Sequence, residues 1–377
     1  MRIGIDASAM LIAQRNGYEN YVTDLVLSLA SLPTSEFGNM EIFLYFYAGN
    51  VLANPGLIKE YKHILNKFHL RVYPFRQGFR IALPVMCLCD RLDLIHLPVY
   101  IWATKFPCRV LTTFHDACHR RAFLDGSVDE EPKDLVDLIN KQLKVSDAYI
   151  AVSNASKLDL CEFFGVDPRR VWVIHHGVGK EYSYNVKSMN VVRAKYGLKQ
   201  YILSVNAIQG NKNHLRLLEA YAHLFRQGMI EQSLVFVGRD GWGSERFYQA
   251  VREIDLGEHI KVLGYVTQAD LMGLYSGADL VVNASLCEGF GLPVLEAMAC
   301  GAVIAASNNT ALVEIGGDAV FAFDPYDIRS ISNAICEAIT KTDAREEKLL
   351  AGQSHLRNFT WANTAEKTLN VYRTQLG

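Results

Sequence analysis

The chain has 377 residues, 50% hydrophobic and 21% charged, with a formal net charge of -2. That length predicts two domains with sizeable cores, and the charge balance argues against nucleic acid as the main partner. Eight cysteines are scattered with no CxxC pair, which reads as reduced, mostly buried thiols in a cytosolic protein.

Taken in chain order, "MRIGIDASAML" reads as a first strand entering a loop, because Asp6 interrupts the apolar run that a signal peptide needs. Further strand candidates are "EIFLYFYA", "LRVYPF", "LDLIHL", "RVLTTFHD", "AYIAVS" and "VWVIHH", with helices such as "YENYVTDLVLSLASL" and "PKDLVDLINKQLKVS" between them. The polar stretch "GVGKEYSYNVKSMN" predicts a linker at about residues 177–192. A second series runs "YILSVNA", "LVFVG", "IKVLGYV", "DLVVNAS", "AVIAAS" and "AVFAF", and "FTWANTAEKTLNVYRTQL" closes the chain as one amphipathic helix. This repeated βα alternation predicts an α/β protein of two doubly wound domains facing a cleft. Domain interfaces are preferred ligand sites.

No apolar run approaches the ~20 residues that cross a bilayer, so the expected location is cytoplasmic. One segment qualifies this. Residues 61–80 carry Lys62, Lys67, Arg71, Arg76 and Arg80, no acid, and the interleaved aromatics Tyr61, Phe68, Tyr73, Phe75 and Phe79. Two readings stay open: an ordinary solvated surface, or a peripheral contact with an anionic leaflet at the inner face of the membrane.

Several activities lack their signatures. No GxGxxG follows the first strand, and there is no P-loop, no GxSxG elbow and no HExxH. No acidic pair is placed to hold magnesium, so no metal and no cofactor are expected. What stands out instead is "SLCEGFGLPVLEAMACGAVIAAS", residues 285–307, in which Glu288 and Glu296 flank a glycine bend. Pro293 suits the first position of a helix and Gly301 the left-handed position that closes it. Strand, bend, short helix and strand would bring both carboxylates to the carboxyl edge of a sheet. The free N–H groups of the bend would favour an anion there. Cys287 reads as packing.

"EGFGLPVLEAMACG" resembles the E-x7-E motif of family-four retaining glycosyltransferases, and residues 263–325 follow the pattern of that family closely. "YILSVNAIQGNKNHLRLLEAY" resembles its phosphate loop, "TFHDACHRRAF" its histidine loop and "RNGYENYV" its first glycine loop. The resemblance implies the GT-B fold: two Rossmann-like domains, with a last helix that returns to the first. It would divide the chain into an acceptor-binding domain (1–180), a nucleotide-sugar domain (181–355) and the returning helix (356–377).

The resemblance also implies roles. Glu296 would grip ribose hydroxyls, Glu288 the hydroxyls of the transferred sugar, and the backbone of Gly289, Phe290, Gly291 and Leu292 the sugar and distal phosphate. Lys212 would neutralise the leaving diphosphate, with Asn211 beside it, and His115 would reach the sugar. Gly17 would let backbone N–H groups approach the phosphates. The chain departs from the family at Asn211, where arginine is common, and at Asn206, where glycine is common. Arg239 is the candidate supplement. The implied reaction is metal-independent transfer of a hexose, glucose from UDP-glucose being the best single guess, to a saccharide or lipid-linked saccharide acceptor in polysaccharide biosynthesis. Retention would follow from front-face attack, in which the departing phosphate oxygen takes the acceptor's proton. A GT-B UDP-sugar epimerase and a non-catalytic sugar-nucleotide-binding protein remain as alternatives.

Overall fold

The structure is a computed structural model and describes residues 1–13, 17–74, 79–101, 105–124, 126 and 130–377. The chain folds as two compact units. The first comprises Met1–Ala117, Glu131–Gly177 and Phe359–Gly377, the second Cys118–Glu130 and Val178–Asn358. The sequence reading placed 118–130 with the first domain; it belongs with the second, where Cys118 is bonded to Cys287. These two cysteines are not the reduced, merely packed thiols expected. The remaining six are free cysteines.

Among the described residues, seven parallel strands form the sheet of the first unit: β1 (Arg2–Asp6), β2 (Glu41–Tyr47), β3 (His69–Tyr73), β4 (Leu94–Leu97), β5 (Arg109–Phe114), β6 (Ala148–Ala151) and β7 (Val171–Val173). Their spatial order is β3-β2-β1-β4-β5-β6-β7. The central strands β4 and β6 are buried throughout, which is why they read as continuous apolar runs. The helix Gly17–Ser31 packs on one face with Val22, Leu25, Val26 and Leu29. The last helix, Trp361–Leu376, joins it through Trp361, Ala365, Leu369 and Tyr372. Its return is fixed by polar contacts: Tyr372 Oη lies 2.7 Å from His96 Nδ1, and Thr364 Oγ1 donates to the His175 carbonyl at 2.7 Å.

The second unit has six parallel strands: β8 (Tyr201–Val205), β9 (Ser233–Val237), β10 (Ile260–Val262), β11 (Leu280–Asn283), β12 (Ile304–Ser307) and β13 (Phe321–Phe323), in the order β10-β9-β8-β11-β12-β13. Both sheets are doubly wound, so the expected fold class holds. The presumed linker is shorter than expected, because its second half is the helix Val186–Tyr196. Asn185 caps that helix by accepting from Ser188 N–H at 3.0 Å. Its polar composition hid a helix whose buried residue is Val192.

The described residues 61–74 do not form an exposed aromatic belt. Tyr61, Phe68 and Tyr73 are core residues, 8%, 7% and 0% exposed. Tyr61, Leu65 and Phe68 follow helical spacing and face inward together. Arg71 pairs with Asp90 at 3.0 Å, and Lys67 donates to the Leu32 carbonyl at 2.7 Å. Phe75 and Arg76, and the side chains of Phe79 and Arg80, lie outside the described residues. Among the described residues, no helix is long and apolar enough to cross a membrane.

Candidate active site

The second sheet reverses its strand order between β8 and β11, and open α/β sheets bind ligands outside the carboxyl ends of strands at such a point. The segments leaving these two strands carry Lys212 and Glu288, and the fold brings them together. Lys212 Nζ lies 2.8 Å from Glu288 Oε1, with the two side chains only 13% and 12% exposed. Ser285 Oγ donates to the same oxygen at 2.8 Å. A pair this deep contributes little net stability, because desolvation offsets the attraction. Its place at the switch point argues for chemistry instead.

The bend holding Glu288 is braced from three directions. Leu286 N–H donates to the Asn211 carbonyl at 2.8 Å. Asn309 Nδ2 donates to the Leu286 carbonyl at 2.7 Å, and Glu288 N–H donates to Thr310 Oγ1 at 3.2 Å. Thr310 sits at φ 46°. A β-branched residue in this region stores roughly 1–3 kcal/mol of strain, a cost found mostly at functional sites. Gly291 has φ 105° and begins the helix Leu292–Ala299; a Cβ there would come within 2.7 Å of Leu312 Cδ2. Pro293 is the second residue of the helix, one place later than expected, and Gly301 follows the end at φ 73°, as expected. Gly289 and Phe290 complete the bend, with Phe290 5% exposed.

Glu296 falls one turn into that helix. Its Oε2 accepts from Tyr275 Oη at 2.9 Å. Burial pushes its pKa above the ordinary glutamate value, and the nearby phenols of Tyr275 and Tyr182 pull it back in part.

The phosphate-loop residues have divided roles. Asn211 is 8% exposed, and its Oδ1 accepts from Gln209 Nε2 at 2.9 Å. That bond braces the loop through the amide oxygen. Asn206 reaches Asn283 at 3.4 Å, and Gly238 backs its carbonyl so closely that a Cβ would stand 1.9 Å from it. Arg239 is exposed, its guanidinium carbon 4.6 Å above the Tyr265 ring. The Arg239 carbonyl accepts from Ile208 N–H at 2.8 Å, which sets this loop beside residues 206–213.

His115 and Gly17 belong to the first unit. His115 follows β5 and is 5% exposed. Its Nε2 donates to the Pro98 carbonyl at 2.8 Å, which leaves Nδ1 as the acceptor of a neutral ring. Burial lowers its pKa, in keeping with that state. The rings of Tyr18 and Tyr21 stand edge-on to it at 4.7 and 5.0 Å. Gly17 opens the helix Gly17–Ser31 and is exposed. Arg15 and Asn16, from the first glycine loop, lie outside the described residues. Sequence reasoning missed Ser285, Thr310, Tyr275 and Tyr182. Ser285 lay inside the quoted string. The other three act from separate elements, where no local pattern points to them.

A doubly wound parallel sheet with a charged, braced bend at its switch point is the arrangement expected of a GT-B glycosyltransferase, and comparison with known proteins agrees. The family described as Glycosyl transferases group 1 matches residues 188–349, and Glycosyltransferase Family 4 matches residues 15–182. The O-antigen chain mannosyltransferase B of Escherichia coli is 31% identical over 272 residues, 70% of each chain. The serotype-specific mannosyltransferase WbdA of Escherichia coli is 31% identical over 60% of this chain, which spans 29% of that longer protein. Among solved structures, sucrose-phosphate synthase of Thermosynechococcus elongatus superposes with a TM-score of 0.74 at 18% identity, covering 99% of this chain and 98% of that one. HepE of Anabaena in complex with UDP-glucose gives 0.72 at 17% identity, covering 99% of both. The chain belongs to the family-four glycosyltransferases.

Proposed function

We propose that this protein transfers a hexose from a nucleoside-diphosphate sugar to a saccharide acceptor, with retention and without a metal. The observation that carries the reading is the buried Lys212–Glu288 pair at the switch point, on the bend that launches the helix bearing Glu296. Lys212 supplies a fixed positive charge where the diphosphate leaves, so charge developing there meets a preorganised partner. Glu288 has one oxygen occupied by Lys212 and Ser285, and its other oxygen serves sugar hydroxyls. Glu296 serves the ribose, and His115 offers Nδ1 to the sugar. The first unit takes the acceptor. A lipid-linked saccharide suits the relatives named for O-antigen synthesis.

Those relatives are mannosyltransferases by name, which favours a mannosyl donor over the UDP-glucose expected from the sequence. UDP-glucose is named with a structure at 17% identity, a likeness that speaks to fold. A thermal-shift screen over GDP-mannose, UDP-glucose and ADP-glucose separates them, because a ligand that binds only the folded state raises the melting temperature. Transfer from the stabilising donor should then persist in EDTA, keep the anomeric configuration, and fall strongly in Lys212→Ala. Stabilisation by no sugar nucleotide, or conversion of a donor without any acceptor, would overturn the reading.

A further inference from the structure

Glu296 is the residue assigned above to the ribose, and what surrounds it goes beyond that assignment. Its carboxylate ends a long, rotatable side chain on a helix of eight residues. Such a group recognises a diol well only if it is already held in place, since ordering it on binding costs affinity. The structure supplies the hold. Tyr275 Oη donates to Glu296 Oε2 at 2.9 Å, and Tyr275 is 0% exposed.

The turn that carries Tyr275 is itself pinned. Tyr201 Oη donates to the Leu274 carbonyl at 2.7 Å, Ser276 Oγ accepts from Asn185 N–H at 3.2 Å, and Arg193 Nη2 donates to the Gly277 carbonyl at 2.9 Å. Residues on both sides of Tyr275 are therefore tied to other elements, so its phenol has little room to move. A second phenol, Tyr182, stands near enough to the same carboxylate to favour its charged form, and its ring centre lies 6.4 Å from that of Tyr275.

We propose that Tyr275 is a positioning residue for donor recognition, its buried hydroxyl holding one oxygen of Glu296 so that the other faces the ribose hydroxyls. This rests on the reading of Glu296 as the ribose ligand. The phenol acts through the carboxylate and touches no part of the donor. It also favours the charged form: burial raises the pKa of Glu296 and the hydrogen bond from Tyr275 opposes the rise, so losing it moves protonation to higher pH.

The test is Tyr275→Phe, which removes the hydroxyl and keeps the ring. Calorimetry on the full chain would use UDP and GDP beside their 2′,3′-dideoxy forms. A hydrogen bond to a charged group is at stake, so affinity for the ribonucleotide should fall about tenfold. The dideoxy form should bind as before, and the preference for ribose should shrink. The acid limb of ribonucleotide binding should move to higher pH. Combined with Glu296→Gln, the variant should bind no more weakly than Glu296→Gln alone. Equal losses for both nucleotide forms would mean a purely structural role, and an unchanged ribose preference would overturn the proposal. If Glu296→Gln itself leaves the ribose preference intact, the underlying assignment fails instead. Should Tyr275→Phe not fold, Tyr201→Phe, which releases the Leu274 carbonyl beside Tyr275, carries the test, and an unchanged ribose preference there overturns the proposal.

Discussion

Glu296 shows how a single residue can oppose the fold that contains it. Burial raises its pKa above the ordinary value of 4.5, so the folded chain holds that proton more tightly than the unfolded chain. Stability is then greatest below about pH 4.5 as far as this group is concerned, and it declines as pH rises through the raised folded value. At neutral pH the ionised carboxylate costs the fold something. Glu296→Gln keeps an oxygen for Tyr275 and removes the charge. It should therefore raise the melting temperature at pH 7, by an amount that shrinks toward pH 4, while weakening nucleotide binding about tenfold or more. A melting temperature lowered at pH 7 would show the carboxylate to be a net stabiliser. Glu296, Glu288 and Lys212 were legible in the sequence because one compact string carries the glutamates and a second carries the lysine. Tyr275 was not legible: it stands 21 positions before its partner, and its spacing looks like that of any core tyrosine.

At the scale of elements, the bend between β11 and β12 depends on one backbone conformation. Gly291 turns the chain at φ 105° with Leu312 packed where a side chain would start. Gly291→Ala meets both strain and collision, and should destabilise the protein by roughly 1–3 kcal/mol in denaturant titrations. Because Glu288 and Glu296 lie on opposite sides of this turn, donor affinity should fall with it. Wild-type affinity in a stable Gly291→Ala protein would show that the bend tolerates rearrangement. The strands were legible throughout, since parallel strands buried on both faces read as apolar runs. Elements defined by partners were harder. The helix Val186–Tyr196 buries Val192 alone, too little for a periodic signal. The aromatics of residues 61–80 alternate with basic residues like an interfacial stretch, yet Tyr61, Phe68 and Tyr73 point into the core. Composition shows which side chains are amphipathic and cannot show which face is covered.

Across the molecule, buried histidines set the response to acid. Burial holds His96 down to about 3 and His214 to about 4, and it lowers His115 and His176 as well. A folded pKa below the unfolded value near 6.5 means that the unfolded chain takes up protons first as pH falls. The stability these neutral rings share in is complete above pH 6.5 and drains away between pH 6.5 and the folded values. Each such ring adds up to about 1.4 kcal/mol per pH unit to the slope. Urea titrations at pH 7, 6 and 5 should show that decline, and His96→Gln should flatten it by about one proton. A slope indifferent to His96 would mean that its site opens to water before the chain unfolds. The fold class was readable at this scale and the covalent connectivity was not. Cys118 and Cys287 stand 169 positions apart, with nothing between them to suggest a pairing.

That pairing makes part of the polypeptide a closed ring. Everything from Cys118 to Cys287 lies within it, including the exposed stretch around Lys180 that joins β7 to the helix Val186–Tyr196. A protease that cuts after Lys180 would open the ring without dividing the molecule. The nicked protein should run as a single species on a denaturing gel until a thiol reductant is added, and only then as two. Two bands without reductant would mean that the sulfurs are apart. With the ring closed, severing the backbone between the two sheets does not by itself set either one free.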